Sequence, residues 1–417
     1  MLDASFRFKS LMQVVSEQND PIDFAFPSAE LNLRIDRALT QANTDGPCFD
    51  LRFTKRKGRE ICVPRDFETA ILLRRLNENV RRITRVRQND RNYIVSCLSQ
   101  LLGNGLPFVV ARYDIKKFYA SIDRDELRRI CSVRLRSSGT TRRMLEKFLS
   151  DLDMAGASGI PAGLALSGTL SELFLSEMDK RISRSQGVHF YSRYVDDIVI
   201  VADPNLTDFD LTERIFDCLP SGLRLNSTPG KKYFILLPKK ESRGGPSEYS
   251  FDYLGYNLTT SKVFSEANHD KTLNARKLTI DISKSKINKR KTRFILSIKQ
   301  YLRDGNQDDL MDRFLLINSG YRFYDRSSGR RLSGGMCNSY PLIDHPSPAL
   351  RELSSFYSSV FSSRSSSLAG RLALAPLTRR NRKRIQYFDL CAHVQQKKYV
   401  GFDERKLSQL MGVWRHA

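Results

Sequence analysis

Residues 191–201 read YSRYVDDIVIV, with aromatic and β-branched residues on both sides of the adjacent carboxylates Asp196 and Asp197. This alternation predicts a strand, an acidic turn and a second strand. Two ionised carboxylates about 4 Å apart repel by roughly 1 kcal/mol in water and by about 4 kcal/mol at an effective dielectric constant of 20. A divalent cation would offset that repulsion. A lone pair of aspartates is more commonly a solvated loop or a helix cap, so other segments must identify its role.

A third carboxylate, Asp114, directly follows the apolar segment 108–113 (FVVARY). The seven cysteines and five histidines are dispersed and show no paired metal-binding spacing, so carboxylates are the best metal-ligand candidates. Oxygen ligands without nitrogen or sulfur favour Mg²⁺ or Mn²⁺. Two such ions support in-line phosphoryl displacement, which makes nucleotidyl transfer the predicted chemistry.

The chain is strongly basic, with 69 Lys and Arg against 46 Asp and Glu and a net charge of +23. Residues 270–417 hold 29 basic and 12 acidic residues, a net of +17. Within them, 284–299 has helical spacing of apolar residues and 379–384 (RRNRKR) is a dense basic cluster. This distribution predicts a basic helical C-terminal module and a polyanionic partner, with nucleic acid as the leading class.

The sequence contains no apolar run of about 18 residues, so no transmembrane span is expected. Residues 1–8 lack the basic-then-apolar pattern of a secretory signal. The scattered, odd-numbered cysteines are expected to be reduced packing residues. We therefore predict a cytoplasmic protein without a membrane partner.

Six segments resemble motifs of reverse transcriptases and occur in the family's order. They are 55–64 (KRKGREICVP, fingers hairpin), 112–123 (RYDIKKFYASID, first metal motif), 159–179 (GIPAGLALS and a helix, template and nucleotide positioning), 194–197 (YVDD, the YxDD box), 222–236 (GLRLNSTPGKKYFIL, lysine loop) and 251–256 (FDYLGY, primer grip). Together they cover about residues 50–260, which makes the resemblance specific.

The resemblance implies a catalytic centre with two Mg²⁺ ions, for which Mn²⁺ is a possible substitute. Asp114 and Asp196 would be the principal ligands, with Asp197 beside them and the Ile115 carbonyl as an additional ligand. A lysine in the loop would protonate the pyrophosphate leaving group as general acid. Lys232 is the first choice for this role and the adjacent Lys231 is the alternative.

The same resemblance assigns nucleotide contacts. Lys57 and Arg59 match hairpin positions that hold the incoming triphosphate, for which Arg offers a bidentate fork. Ala162 and Gly163 belong to the positioning loop, where glycine allows close approach of the backbone. Ala162 stands where retroviral, intron and retron enzymes usually carry glutamine, so one amide contact to the nucleotide is missing.

Tyr119 lies where the family places an aromatic ring under the nucleotide sugar. A ring there excludes a 2′-hydroxyl by its volume, so deoxynucleotides are the expected substrates. The alternative is that Phe118 faces the sugar and Tyr119 packs in the core. A small polar residue at this place would instead indicate an RNA-dependent RNA polymerase.

Nucleic-acid contacts are expected on the helical segment 68–86, at the primer grip and in the basic C-terminal module. The candidates are Arg74, Arg75, Arg81, Arg82, Arg85, Gly255, Lys289, Arg290, Lys291, Arg382 and Lys383. For Arg74, Arg75, Arg81, Arg82 and Arg85, an ordinary solvated helix face is the alternative interpretation.

Ala162, together with 314–324 (FLLINSGYRFY) and 334–342 (GGMCNSYPL), resembles the bacterial defence-associated and abortive-infection reverse transcriptases, relatives of retron and group II intron enzymes. This implies antiphage defence by copying an associated noncoding RNA into cDNA from dNTPs. Two alternatives remain open: untemplated or protein-primed synthesis by the same site, and a catalytically silent RNA-binding regulator.

The predicted architecture is an α+β right-handed polymerase. Residues 1–107 would form an N-terminal region and fingers, and 108–262 a palm around an antiparallel sheet that carries the carboxylates. Residues 263–417 would form a helical thumb and a C-terminal RNA-binding extension.

Overall fold

The computed structural model describes residues 5–17, 27–56, 59–238, 248–268, 271–325, 330–362, 370, 372 and 375–414. The chain divides into two compact units. The first unit comprises Met1–Arg91 and Leu106–Lys239, and the second comprises Asn92–Gly105 and Lys240–Ala417. The predicted regions 1–107 and 108–262 therefore do not coincide with these units.

The secondary structure mixes helices and strands throughout the described residues. The helices are α1 Phe8–Glu17, α2 Ser28–Asn43, α3 Phe67–Thr84, α4 Arg91–Leu102, α5 Arg124–Arg134, α6 Gly139–Met154, α7 Ala165–Ser183, α8 Asp208–Cys218, α9 Lys284–Asp304, α10 Gln307–Asn318, α11 Met336–Ser339, α12 Pro348–Ser362, α13 Arg379–Gln386, α14 Leu390–Gln395 and α15 Glu404–Gly412. The strands are β1 Leu51–Arg56, β2 Arg59–Pro64, β3 Phe108–Asp114, β4 Val188–Tyr194, β5 Asp197–Ala202, β6 Tyr233–Leu237, β7 Glu248–Tyr253, β8 Tyr256–Asn268, β9 Lys271–Ile282, β10 Gly320–Asp325, β11 Arg330–Gly335 and β12 Tyr399–Phe402. The predicted α+β fold class is confirmed.

The first unit is built on a four-stranded antiparallel sheet in the order β4-β5-β3-β6. The inner strands β3 and β5 are apolar runs whose side chains are almost all buried. Burial on both faces explains why these strands are continuously apolar rather than alternating. Helices α3, α6 and α7 contribute to the same core through residues such as Leu76, Phe148 and Phe174.

Strands β1 and β2 form an antiparallel hairpin, which includes the segment 55–64 that resembles the fingers hairpin. Its tip residues Lys57 and Gly58 lie outside the described residues. Asp66 caps α3 by accepting a hydrogen bond from the Thr69 backbone N–H, so the hairpin is followed directly by a well-defined helix start.

The second unit contains two three-stranded sheets, β7-β8-β9 and β11-β10-β12. Helix α9 confirms the helix predicted over 284–299, because Ile287, Phe294 and Ile298 recur at helical spacing and are fully buried. The ring of Phe294 packs against Tyr357 of α12 and Phe314 of α10, at centroid distances of 4.6 and 5.8 Å.

The C-terminal part of the chain is not purely helical, contrary to the expectation for residues 263–417. β9 and the sheet β11-β10-β12 lie in it, and the predicted boundary at 262/263 falls inside β8. The helical expectation came from α9, whereas the alternation of residues 321–324 is typical of a strand. None of the helices in the described part of the chain has the length and apolar character needed to span a bilayer.

Candidate active site

The predicted acidic residues meet at one end of the central sheet. Asp114 is the last residue of β3 and Asp197 is the first of β5, and the two are opposite each other in the ladder. The backbone N–H of Ile115 donates to the Asp196 carbonyl oxygen at 3.0 Å. The fold therefore brings the backbone of all three aspartates together, although Asp114 is distant from the other two in sequence.

The turn that carries Asp196 is held in an unusual backbone conformation. Val195 has φ of 59°, a left-handed value that is costly for a β-branched residue. Arg193 donates to the Val195 carbonyl oxygen at 2.8 Å and is itself only 3% exposed. Glu172 and Asp179 of α7 bind its guanidinium at 2.7 and 2.9 Å. This buried ion network stabilises the turn.

Electrostatics in this network favour the charged arginine. Burial opposes its charge, but hydrogen bonds and Coulombic attraction from Asp179 and Glu172 outweigh burial and raise the pKa of Arg193. Burial also raises the pKa of Glu172, against the opposing effect of Arg193. Tyr191 adds a hydrogen bond of 2.6 Å from its hydroxyl to the Asp179 carboxylate.

Asp114 is 5% exposed, and both of its carboxylate oxygens have partners. Lys231 Nζ lies 2.7 Å from Oδ1, and the Asn226 amide donates to Oδ2 at 2.8 Å. Asp197 is bound by Arg112, whose Nη2 lies 2.7 Å from Oδ1. Two carboxylates at this end of the sheet, Asp114 and Asp197, are thus paired with cations of the same unit.

The donor chemistry fits a hard divalent cation. In the described residues, no three Asp, Glu, His or Cys side chains are already gathered as a ready metal site. Asp114 and Asp197 are nevertheless ladder partners with oxygen donors, and a buried carboxylate such as Asp114 requires a compensating positive charge. Lys231 supplies that charge here, and Mg²⁺ or Mn²⁺ could replace it.

The two candidate lysines point to different places. Lys231 contacts Asp114, whereas Lys232 Nζ lies 2.5 Å from Asp208 and 3.3 Å from the Thr212 hydroxyl. Both partners of Lys232 belong to α8. The first choice, Lys232, therefore does not lie at the carboxylates in this structure, and Lys231 does.

Phe118 and Tyr119, the two candidates for the ring that excludes a 2′-hydroxyl (the sugar gate), differ in burial. Phe118 is 3% exposed and belongs to the core, whereas Tyr119 is half-buried, with its ring 5.3 Å from that of Phe118. Burial is the largest cause that raises the pKa of Tyr119, and the charges of Glu172 and Asp196 add to it. Tyr119 thus lies within electrostatic reach of Asp196, which favours it over Phe118.

The loop around Ala162 is wedged between the hairpin and Tyr119. The Cys62 N–H of β2 donates to the Ala162 carbonyl oxygen at 2.8 Å. Gly163 has φ of 104°, and a Cβ there would clash with the Cys62 carbonyl oxygen. A Cβ at Gly159 would clash with the Tyr119 carbonyl oxygen. The glycines are therefore required by close backbone approach on both sides, and Arg59 starts the strand that this loop contacts.

The arginines of α3 differ in burial, so they do not form the single nucleic-acid-binding surface that was expected. Arg75 is 1% exposed, and its Nε donates to the Ser5 carbonyl oxygen at 3.3 Å, so it is an interior residue and no surface contact. Arg74 is partly buried, and burial lowers its pKa. Arg81 and Arg82 are exposed. The prediction of a nucleic-acid contact at Arg75 is wrong because Arg75 lies on the buried face of α3, which the number of arginines in the segment does not reveal.

The basic residues of α9 also have different surroundings. Lys289 is exposed, whereas Lys291 forms an ion pair of 2.5 Å with Glu352 of α12. Arg290 is partly buried, donates to the Ile317 carbonyl oxygen and lies beside the Tyr340 ring. Arg290 therefore faces the interior of the second unit rather than an open surface.

The remaining candidates lie elsewhere in the second unit. Gly255 has φ of 84° in the turn between β7 and β8 and lies close to Lys286 and Tyr340. On α13, Arg382 donates to the Leu372 carbonyl oxygen at 3.0 Å, and Lys383 is exposed.

Sequence reasoning missed three residues that position the acidic centre: Arg112, Arg193 and Asn226. Arg193 carried a usable signal, because a charged residue between two aromatic strand residues needs a buried partner. Glu172 and Asp179, seven residues apart on one face of α7, supply it. No pattern in the sequence pairs Asn226 with a distant aspartate.

Three solved telomerase structures are similar to this chain. Apo telomerase from Candida tropicalis truncated from the C-terminal domain has a TM-score of 0.35 and 16% identity, covering 51% of this chain and 54% of that one. Apo telomerase from the same organism gives 0.35 and 13%, covering 56% and 51%. Telomerase from Candida albicans in complex with a TWJ fragment of telomeric RNA gives 0.37 and 14%, covering 66% and 49%. The match thus spans about half the length of these telomerase chains.

No curated protein matches the chain in sequence. A family model does match it, over residues 67–258, and its description is reverse transcriptase (RNA-dependent DNA polymerase). The matched segment includes Asp114, Asp196 and Asp197 together with the lysine loop. Residues 67–258 thus match the model of a reverse transcriptase domain, which agrees with the predicted enzyme class.

Proposed function

We propose that this chain is a Mg²⁺-dependent RNA-directed DNA polymerase that copies an associated noncoding RNA into cDNA during antiphage defence. The observation that carries the catalytic part is the convergence of Asp114 with the Asp196-Asp197 turn at one end of the sheet. The reverse transcriptase domain supports the reaction type. The defence role rests on the resemblance of Ala162 and the C-terminal motifs to the defence-associated enzymes.

Asp114, Asp196 and Asp197, with the Ile115 carbonyl, would hold the divalent ions. When bound, two such ions activate the primer hydroxyl and neutralise charge that develops on the transferred phosphoryl group. Arg193 fixes the turn that carries Asp196, and Arg112 orients the Asp197 carboxylate. These residues keep the acids in place before any substrate arrives.

Lys231 is the proposed general acid. Its ammonium group contacts Asp114, and its side chain is 44% exposed, so the ammonium group would have room to move toward a leaving pyrophosphate once another cation takes its place. Proton donation by a positioned side chain contributes roughly 10²–10⁴ in rate. Tyr119 would exclude the 2′-hydroxyl and make dNTPs the substrates, while the Ala162–Gly163 loop and the hairpin with Lys57 and Arg59 would position the nucleotide.

The second unit is the proposed RNA-binding part. On one face of the sheet β11-β10-β12, Tyr324 is 50% exposed and is the ladder partner of Arg331. On the same face, the Arg322 guanidinium lies 4.4 Å from the ring centre of Tyr399. Exposed aromatic rings and arginine side chains stack on unpaired RNA bases. Basic residues add contacts to the RNA phosphates, whose contribution to the affinity depends on salt concentration.

The proposed compartment is the bacterial cytoplasm. All seven cysteines are free, and Cys48, Cys62 and Cys131 are buried in the first unit. Unpaired cysteines in this number are typical of a reducing compartment.

Primer extension tests the reaction. Purified protein is incubated with its co-purified RNA, Mg²⁺ and labelled dNTPs, and the products are sequenced. The proposal predicts DNA complementary to the bound RNA, and its loss in the double variant Asp196→Ala plus Asp197→Ala. Asp208→Asn is the matched control, because this acid lies on α8 and pairs with Lys232.

Other outcomes would identify another function. DNA unrelated to the RNA would establish untemplated or protein-primed synthesis, and the absence of incorporation by wild type would leave an RNA-binding regulator. The defence role is tested separately by phage plating on cells that express wild type or the double variant. Equal plating on both would reject it without touching the polymerase assignment.

A further inference from the structure

A small polar cavity of about 150 Å³ lies inside the second unit. Arg290 and Arg293 of α9 line it, together with Tyr321 of β10, Ser339 of α11 and Trp414 near the C-terminus. Room for a few water molecules is also room for one small polyatomic ion. None of these residues belongs to the acidic centre described above.

The two arginines bring positive charge to this cavity without a carboxylate. Among the described residues neither forms an ion pair, and the groups that act electrostatically on Arg290 are Tyr340, Tyr357, Cys337 and Arg293 itself. The Nε atom of Arg293 is buried and has no hydrogen-bond partner in the described part of the chain. A buried charge of this kind needs a counter-charge from somewhere.

The side chains of Arg290 and Arg293 each contact neighbouring groups that fix their positions. The Arg290 guanidinium donates to the Ile317 carbonyl oxygen and lies 5.8 Å from the centre of the Tyr340 ring. The Arg293 guanidinium lies 5.4 Å from the Trp414 ring. The Trp414 indole N–H in turn donates to the Arg293 carbonyl oxygen at 3.0 Å. The arrangement is therefore preorganised rather than a pair of mobile surface chains.

Burial lowers the pKa of both arginines, and the neighbouring charge of Arg293 lowers that of Arg290 further. An anion between them would reverse both effects. Phosphate matches this demand in charge and shape, because arginine offers several N–H donors in a rigid fork. The Tyr321 and Ser339 side chains supply hydroxyl groups at the same cavity.

We infer that this cavity binds a phosphate group, presented either by RNA or as free phosphate. The inference does not depend on polymerase activity, because it uses only the second unit. Arg290 would then bind phosphate inside this cavity, and not on an exposed face of α9 as the sequence predicted.

Trp414 provides the readout, because it is the only tryptophan of the chain and lines the cavity. Inorganic phosphate is titrated into the full-length protein at constant ionic strength, and tryptophan fluorescence is recorded. We expect a saturable change for phosphate and none for chloride. An unsaturable or absent change with phosphate would overturn the inference.

Arg293→Gln removes one of the two cavity charges, and Arg303→Gln is the matched control, because Arg303 is an exposed arginine in the last turn of the same helix and does not line the cavity. The saturable change should weaken at least tenfold in the first variant and persist in the second. Arg293→Lys, which keeps the charge, should retain binding in part, and circular dichroism establishes that each variant is folded. Equal titrations of wild type and Arg293→Gln would reject the site.

Competition identifies the source of the phosphate. A short RNA with a 5′-phosphate, the same RNA with a 5′-hydroxyl, and no RNA are compared as competitors of inorganic phosphate. Competition only by the first assigns the site to an RNA end, and equal competition by both RNAs assigns it to the backbone. Competition by neither assigns it to free phosphate.

Discussion

The two units place buried or half-buried arginines in different surroundings. In the first unit, Arg193 is enclosed by the carboxylates of Glu172 and Asp179 and holds the turn before Asp196. In the second unit, Arg290 and Arg293 face a polar cavity and, among the described residues, have no carboxylate partner.

The charge of Arg193 has a structural role, whereas the charges of Arg290 and Arg293 are available to bind a ligand. The ion network of Arg193 is complete within the chain, so its contribution is to fix backbone geometry. The arginines of the second unit are incomplete without an external anion. Charge alone therefore does not identify an anion site, whereas a buried charge without a carboxylate partner among the described residues points to one.

Removing the arginine from each setting should have unequal effects on stability. Arg193→Met leaves the largely buried Glu172 carboxylate without its cation and removes one partner of the half-buried Asp179, and it should cost about 3–5 kcal/mol. Arg293→Met removes an uncompensated charge and should cost about 1 kcal/mol or less. Urea unfolding followed by circular dichroism measures both, and Trp414 fluorescence follows the second unit separately. Similar losses in the two variants would remove the distinction between the units.

The adjacent lysines Lys231 and Lys232 of the first unit have different partners and should differ in their effect on catalysis. Lys231→Ala should lower the rate of nucleotide incorporation by about 100-fold, because it removes the proposed general acid. Lys232→Ala should change the rate only slightly, since Lys232 pairs with Asp208. Single-turnover incorporation measures both. A larger loss in Lys232→Ala would restore the choice made from sequence.

Tyr119→Val should relax the choice of sugar. Removing the ring leaves space for a 2′-hydroxyl, so the preference for dNTPs over rNTPs should fall by about 10- to 100-fold. The ratio of incorporation efficiencies for matched dNTP and rNTP substrates measures this. Because Phe118 is a core residue, Phe118→Val should lower stability without changing the ratio. An unchanged ratio in Tyr119→Val would exclude it as the gate.

Thiol chemistry gives the smallest expected difference between the units. Burial raises the pKa of Cys48 to about 11 and of Cys62 and Cys131 to about 12, from an ordinary value of 9.0. These thiols contribute stability in full below pH 9, and that contribution is lost as the pH rises through 11–12. Because these three thiols are buried, native alkylation should label the partly exposed Cys391 of the second unit before it labels Cys48, Cys62 and Cys131. Equal labelling rates would contradict this burial.

The sequence predicts the elements that local pattern determines. The YVDD turn, the apolar strand before Asp114 and helix α9 follow from alternation, β-branching and helical spacing, and ordered motifs identified the reverse transcriptase domain. Partners that are distant in sequence could not be predicted. The contact of Lys231 with Asp114, and the burial of Arg75, depend on side-chain direction in the folded chain, which adjacent residues of one type do not reveal.

The central claim is that Asp114 and the Asp196-Asp197 turn together bind divalent metal. Titration of the purified protein with Mn²⁺, followed by electron paramagnetic resonance of the free ion, tests it without any turnover. We expect Mn²⁺ to bind to wild type and to Asp208→Asn, and to bind at least about tenfold more weakly to Asp114→Asn. Equal Mn²⁺ affinity in wild type and Asp114→Asn would contradict it.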